Sequence, residues 1–229
     1  RTFRLPGADK SVKEPRRSAL SVLLETFGEG AVERNELPSV SSFEATGRRL
    51  LLEMIKKGVN SPVTSSAGRL FDAVSSILNI RHKTSFEGQG AMELEFTAGN
   101  DISSVSGCYD FSVDGGEENK QIGPIIVDWR PVIRGIMEDL NGRVDTGVIS
   151  ARFHNTLSGM IVEVARRVGE DRVVLSGGCF QNRYLLERTV QELEKEGFRV
   201  YTHQRVPPND GGISLGQVAV AGHILTGDR

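Results

Sequence analysis

Cysteine is scarce in this chain: 229 residues hold two, Cys108 and Cys179, in different segments and with no CxxC pair. That spacing indicates neither a disulfide framework nor a cysteine-only zinc site, and a reduced, cytoplasmic environment is the expectation. An excess of charge of either sign is also missing. Lys and Arg number 28 against 30 Asp and Glu, for a net charge of -2 and an isoelectric point near 6.2. Such a balance leaves no electrostatic footprint for nucleic acid or an anionic membrane. No apolar run approaches the length of a membrane span. The opening RTFRLPGADK has neither an initiating Met nor the pattern of a signal peptide, so the sequence reads as a piece cut from a longer protein. What these exclusions leave is a globular composition, 38% hydrophobic and 25% charged, with room for one large domain or two modest ones and for small-molecule or protein partners.

The first third has helical patterning. Leu20, Val22, Leu23 and Leu24 form an apolar segment after Pro15. FEATGRRLLLEMIKKG then places Leu50, Leu51, Met54 and Ile55 on one face, with Ser41 or Ser42 as a cap and Gly58 as a stop. SSAGRLFDAVSSILNI repeats Leu70, Val74, Ile77 and Leu78 at helical spacing, capped by Ser65 or Ser66. The period then changes. AMELEFTAG alternates apolar Met92, Leu94 and Phe96 with acidic residues, CYDFSVDGG alternates similarly, and QIGPIIVDW supplies a third run, together predicting an antiparallel meander. Pro131 suits the first turn of a following helix.

From residue 148 onward the pattern is helix, strand RVVLSG, helix, strand FRVYTH, helix. The apolar runs predict parallel strands covered on both faces. The expected fold class is therefore α/β, a mixed sheet flanked by helices over residues 89–229, preceded by a mainly helical subdomain over 1–88.

Ligands in such sheets sit beyond the carboxyl ends of parallel strands. Ser176, Gly177 and Gly178 fall at that edge, where glycines admit a ligand to the backbone and free N–H groups at a helix start favour an anion such as phosphate. A simple tight turn explains the glycine pair equally well. Asn182 can donate and accept toward a ribose or base. Asp210, in the second glycine-rich connection PPNDGGISLGQ, is either a ligand for a cation near phosphates or the N-cap of the last helix. Asp72 either holds ribose hydroxyls or is a solvated helical residue.

Taken together, TSSAGRLFDAV, SFEGQGAMELE, SGGCFQNRYLLE and PPNDGGISLGQ, in this order after FRLPGADKSVKEPRR, closely resemble the C-terminal carbamoyltransferase domain of the HypF-type hydrogenase maturation proteins. The resemblance covers almost the whole chain. It implies an actin-like, Hsp70-like ATPase fold (ribonuclease H-like) of two lobes, shared with TsaD-like threonylcarbamoyl transferases, with the nucleotide between them. It also implies transfer of a carbamoyl group, made as carbamoyl adenylate from carbamoyl phosphate and ATP in a separate domain, to the C-terminal cysteine thiolate of the partner HypE, on the way to a cyanide ligand of nickel-iron hydrogenase.

Carried over by motif, Gly177, Gly178 and Asn182 contact the adenylate, Gly68 and Asp72 lie nearer the ribose, Asp210 ligates a divalent metal (zinc or iron, with magnesium a further candidate), and Glu87 and Gln89 line the cleft. The metal would polarise the carbamoyl carbonyl. The family's paired metal-binding histidines are not matched here: His82, His154, His203 and His223 are scattered, so each reads as a surface or packing residue and the remaining ligands are expected outside this chain. Cys179 reads as a small buried hydrophobe rather than a nucleophile. Two alternatives use the same residues: a TsaD-like or antibiotic O-carbamoyltransferase with another acceptor, or a module that retains a partner surface and half a nucleotide cleft without activity of its own.

Overall fold

In the computed structural model, residues 1–99, 105–115, 117–118 and 121–226 are described. The chain opens with β1 (Phe3–Arg4), α1 (Asp9–Lys13), α2 (Pro15–Phe27), α3 (Pro38–Ser41), α4 (Ala45–Lys57), β2 (Val63–Thr64) and α5 (Ala67–Ile77). β1 and β2, which carry no sequence periodicity at two residues each, pair antiparallel with Phe3 opposite Thr64. Pro15 starts α2, where its missing N–H costs no hydrogen bond, and α2 buries Leu20, Val22 and Leu23 against α5. Ser66 caps α5 by accepting from the Arg69 N–H. Gly58 closes α4 in the left-handed conformation that a Cβ disfavours. The expected serine cap of α4 is not formed: Ser41 ends α3, Ser42 donates back to the Ser39 carbonyl, and Glu44 precedes α4 without a side-chain cap. Leu50 faces solvent, leaving Leu51 and Ile55 as the buried pair of that helix.

Next come α6 (Gln89–Ala98), β3 (Ser112–Asp114), β4 (Glu117–Glu118), β5 (Gln121–Ile122) and β6 (Ile126–Asp128). The meander is corrected at its first member: AMELEFTAG is helical. Gly90, Leu94 and Ala98, spaced by four, form the buried stripe of α6, while Met92 and Phe96 are exposed. The alternation of Met92, Leu94 and Phe96 was therefore not the alternation of a half-buried strand. β3 and β6 do pair antiparallel, Val113 opposite Val127, and β4 pairs with β5.

The last part is α7 (Arg130–Asn141), α8 (Thr146–Val168), β7 (Arg172–Leu175), α9 (Arg183–Lys195), β8 (Arg199–Thr202) and α10 (Ile213–Thr226), in the order read from the sequence. β7 and β8 are parallel, with Val173 opposite Val200. Coverage of both faces does not hold, however. α8 and α9 bury Val162, Ala165, Leu175 and Leu193 on one side, whereas Val174 is 69% and Tyr201 49% exposed on the other. Among the described residues the strands form two-stranded pairs, not the single mixed sheet expected. α10 is apolar all round, a pattern typical of buried helices, yet Leu215, Val218 and Leu225 are exposed. The largest core joins α2, α5, α7 and α8 around Phe71, Ile133, Ile149 and Phe153. That core includes Leu70 and Phe71 of α5, the helix whose first turns line the cleft described below. No helix is long and apolar enough to cross a membrane, among the described residues.

Candidate functional site

The start of α5, the turn before α6 and the connection from β7 to α9 meet at a cleft of about 430 Å3. That volume lies within the range of small-molecule sites. Gly68, Glu87, Gly178 and Asn182, predicted from three motifs, all line it. Phe71, Phe86, Ala91 and Met92 give it apolar walls, and Arg69, Glu95 and Cys179 add to the lining.

The two glycines at the exit of β7 have different physical roles. Gly177 holds φ 103 and ψ 158, a region essentially restricted to glycine, and its N–H donates to the Pro208 carbonyl at 2.8 Å. Gly178 has ordinary φ, and a Cβ built there meets nothing within 4 Å. Gly177 thus serves the turn, while Gly178 leaves space open in the cleft wall. A short 3-10 turn, Gly178–Gln181, follows before α9.

The N-terminus of α9 is not free for an anion, contrary to the reading of the strand-to-helix connection. Asn182 Oδ1 accepts from the Leu185 N–H at 2.8 Å, and Glu95 Oε1 accepts from the N–H groups of Arg183 at 2.7 Å and Tyr184 at 3.2 Å. The other end of the Asn182 amide is also engaged. Its Nδ2 donates to His154 Nε2 at 2.9 Å, and His154 Nδ1 donates to the Ser150 carbonyl at 2.8 Å. His154 is fully buried, which pushes its pKa down to about 4 and keeps the ring neutral. It is the packing residue expected of it, set among Phe71, Phe153 and Tyr184.

Asp72 is not solvated: it is 2% exposed, beneath the cleft floor rather than on it. Its Oδ2 lies 2.7 Å from Arg69 Nη1, out of line for a hydrogen bond. Burial raises its pKa to about 7, outweighing the neighbouring guanidinium, and the Glu87 charge pushes the same way. Arg69 is therefore the member of this pair that reaches the cleft. Gln89 does not line it either: its Oε1 accepts from the Ser85 N–H and its Nε2 donates to Glu93, tying the turn before α6 to the Arg81–Glu93 ion pair. Burial raises the Cys179 thiol above its ordinary pKa, which disfavours the nucleophilic thiolate.

The second connection touches the first, since His203 Nε2 lies 2.9 Å from Ser176 Oγ and Gly177 bonds Pro208. Both loops thus share one sheet edge. Asp210 sits there in an exposed 3-10 turn, Asp210–Gly212, away from the cleft lining. The cap of that turn, which runs directly into α10, is its neighbour: Asn209 Oδ1 accepts from the Gly211 N–H at 3.0 Å. The residues present do not by themselves fit a metal site, because no three of His, Cys, Asp and Glu gather to hold one among the described residues.

Arg69 and Glu95 line the cleft without having been singled out as site residues. Arg69 had a signal, lying beside Gly68 in the same motif. Glu95 had none once its segment was read as a strand.

The fold is thus an α/β body that carries an apolar-walled cleft of small-molecule size at the carboxyl edge of a parallel strand pair. Residues 1–217 match the family model described as Carbamoyltransferase, Kae1-like Domain, second subdomain. The chain belongs to this carbamoyltransferase family. It is 32% identical to carbamoyltransferase HypF of Synechocystis sp. over 94% of its own length and 28% of that protein's. It is 35% identical to carbamoyltransferase HypF of Rhodobacter capsulatus over 95% of this chain and 26% of the relative. The chain thus spans under a third of these relatives. A crystal structure of full-length HypF in the phosphate- and nucleotide-bound form matches with TM-score 0.85 and 34% identity, over 100% of this chain and 29% of that one. The structure of T.kodakarensis HypF, at 24% identity and TM-score 0.78, shares the fold.

Proposed function

We propose that this chain forms one wall of the nucleotide cleft of a HypF-type carbamoyltransferase, in an actin-like two-lobed arrangement completed by residues outside it. The whole enzyme then passes a carbamoyl group from carbamoyl adenylate to the C-terminal cysteine of HypE in the cytoplasm, in the maturation of nickel-iron hydrogenase. The observation that carries this reading is the convergence of three motifs distant in the chain, through Gly68, Glu87, and Gly178 with Asn182, on one cleft. The family assignment and a nucleotide-bound relative over the full length of the chain support it.

In this reading the apolar walls receive the base, Gly178 lets the adenylate approach the backbone, and Arg69 rather than Asp72 is the charged group that meets the ligand. Asp210 contributes one carboxylate to a metal site whose other ligands lie elsewhere in the enzyme. The helical part, 1–88, and the α/β part, 89–229, act together, because the cleft draws on both.

The test is carbamoylation of HypE by the full-length enzyme carrying Gly178→Val, followed as a mass increase on the C-terminal cysteine. The side chain has room in the free protein but occupies the ligand's space, so transfer falls while the melting temperature holds. Normal transfer would remove this loop from the site.

A further inference from the structure

His154 sits at 0% exposure on α8, an imidazole enclosed by three aromatic rings whose centroids lie 5.4 Å (Phe71), 5.9 Å (Phe153) and 5.1 Å (Tyr184) away. An apolar side chain would fill such a pocket without the cost of burying two ring nitrogens. Both nitrogens are satisfied, and their partners fix the tautomer. The Ser150 carbonyl can only accept, so Nδ1 carries the proton and Nε2 accepts from the Asn182 amide.

Capping α9 requires only Asn182 Oδ1. The His154 bond adds a second constraint: with Oδ1 held by Leu185 N–H and one amide hydrogen held by Nε2, the amide plane cannot rotate. Its remaining N–H is then fixed in direction at a residue that lines the cleft. Phe71, one wall of the His154 cage, also lines the cleft. We infer that His154 is a positioning residue, which sets the Asn182 amide as a fixed hydrogen-bond donor for the nucleoside part of the ligand. This inference rests on the cleft being the nucleotide site.

The experiment uses the full-length enzyme with ATP as the probe. His154→Leu removes the acceptor at similar bulk, whereas His154→Gln keeps an acceptor at the position of Nε2. His154→Leu is expected to raise the dissociation constant for ATP roughly tenfold, as the loss of one oriented hydrogen bond does. The loss should appear in KM with kcat largely kept, and His154→Gln should restore affinity to within about threefold of wild type. In the wild type, ATP should also shift the 15N resonance of His154 Nε2 while Nδ1 stays protonated.

Wild-type affinity in folded His154→Leu would overturn the inference, as would a His154→Gln no better than His154→Leu. Should His154→Leu fail to fold, the ring resonances decide: an Nε2 signal indifferent to saturating ATP overturns it. Failure of the wild-type enzyme to place ATP in this cleft would instead overturn the proposed function, so the two failures are distinguishable.

Discussion

Glu95 Oε1 lies 2.7 Å from the backbone nitrogen of Arg183, 88 residues along the chain, and so places a carboxylate of α6 on the N-terminus of α9. A negative charge there complements the helix dipole and satisfies two N–H groups that would otherwise lack intrahelical partners. It also closes to an external phosphate the helix end that follows the glycine-rich connection.

Glu95→Ala should therefore cost about 1 kcal/mol of stability, the usual price of a lost helix cap, and Glu95→Gln about half that, since the amide oxygen still accepts. Urea unfolding checks both values. Equal losses in the two variants would mean that the charge alone matters.

The glycine pair separates folding from binding. Gly177→Ala forces a Cβ into a backbone region nearly closed to L-residues and should destabilise by about 1–3 kcal/mol. Gly178→Ala should change stability by less than about 0.5 kcal/mol, as surface substitutions do. Thermal melts of the two variants settle the division, and it fails if they lose stability alike.

Asp72 makes stability depend on pH. Its carboxyl titrates at about 7 in the fold against 3.8 when unperturbed, so between those values the folded state holds a proton that the unfolded state has lost. Stability from this group is complete below pH 3.8 and disappears as pH rises through 7, a change on the order of 4 kcal/mol. Asp72→Asn cannot ionise. Its stability relative to wild type should rise from pH 4 to pH 8, and a pH-independent difference would show that Arg69 keeps Asp72 ionised throughout.

Asp210 can now be tested apart from capping, because Asn209 is the cap. Asn209→Ala should increase hydrogen exchange at the start of α10, and Asp210→Asn should not. If Asp210 ligates a metal in the full-length enzyme, Asp210→Asn lowers metal content and HypE carbamoylation together. Full metal occupancy with normal transfer would end that assignment.

Most of the fold was legible where one physical signal dominated. α5 has a serine cap and a helical apolar stripe, α8 and α9 flank β7 in the order read, and Gly58 and Pro131 punctuate as their backbone restrictions require. AMELEFTAG misled because Met92 lines the cleft and Phe96 faces solvent, so two apolar residues on the exposed side of a helix imitated a strand. Within the site, motifs located Gly68, Glu87, Gly178 and Asn182. They could not show that Asn182 spends its amide on Leu185 and His154, or that Asp72 lies under Arg69. Those facts depend on contacts between segments distant in the chain, for which no local spacing exists.

The central claim is that ATP lies against this wall of the full-length enzyme. Photolabelling with 8-azido-ATP, with and without excess ATP, followed by peptide mapping, tests it most directly. The account predicts competable label within residues 66–71, 86–92 or 178–182, whatever else in the enzyme is labelled. Competable labelling elsewhere with none in these three segments would contradict it.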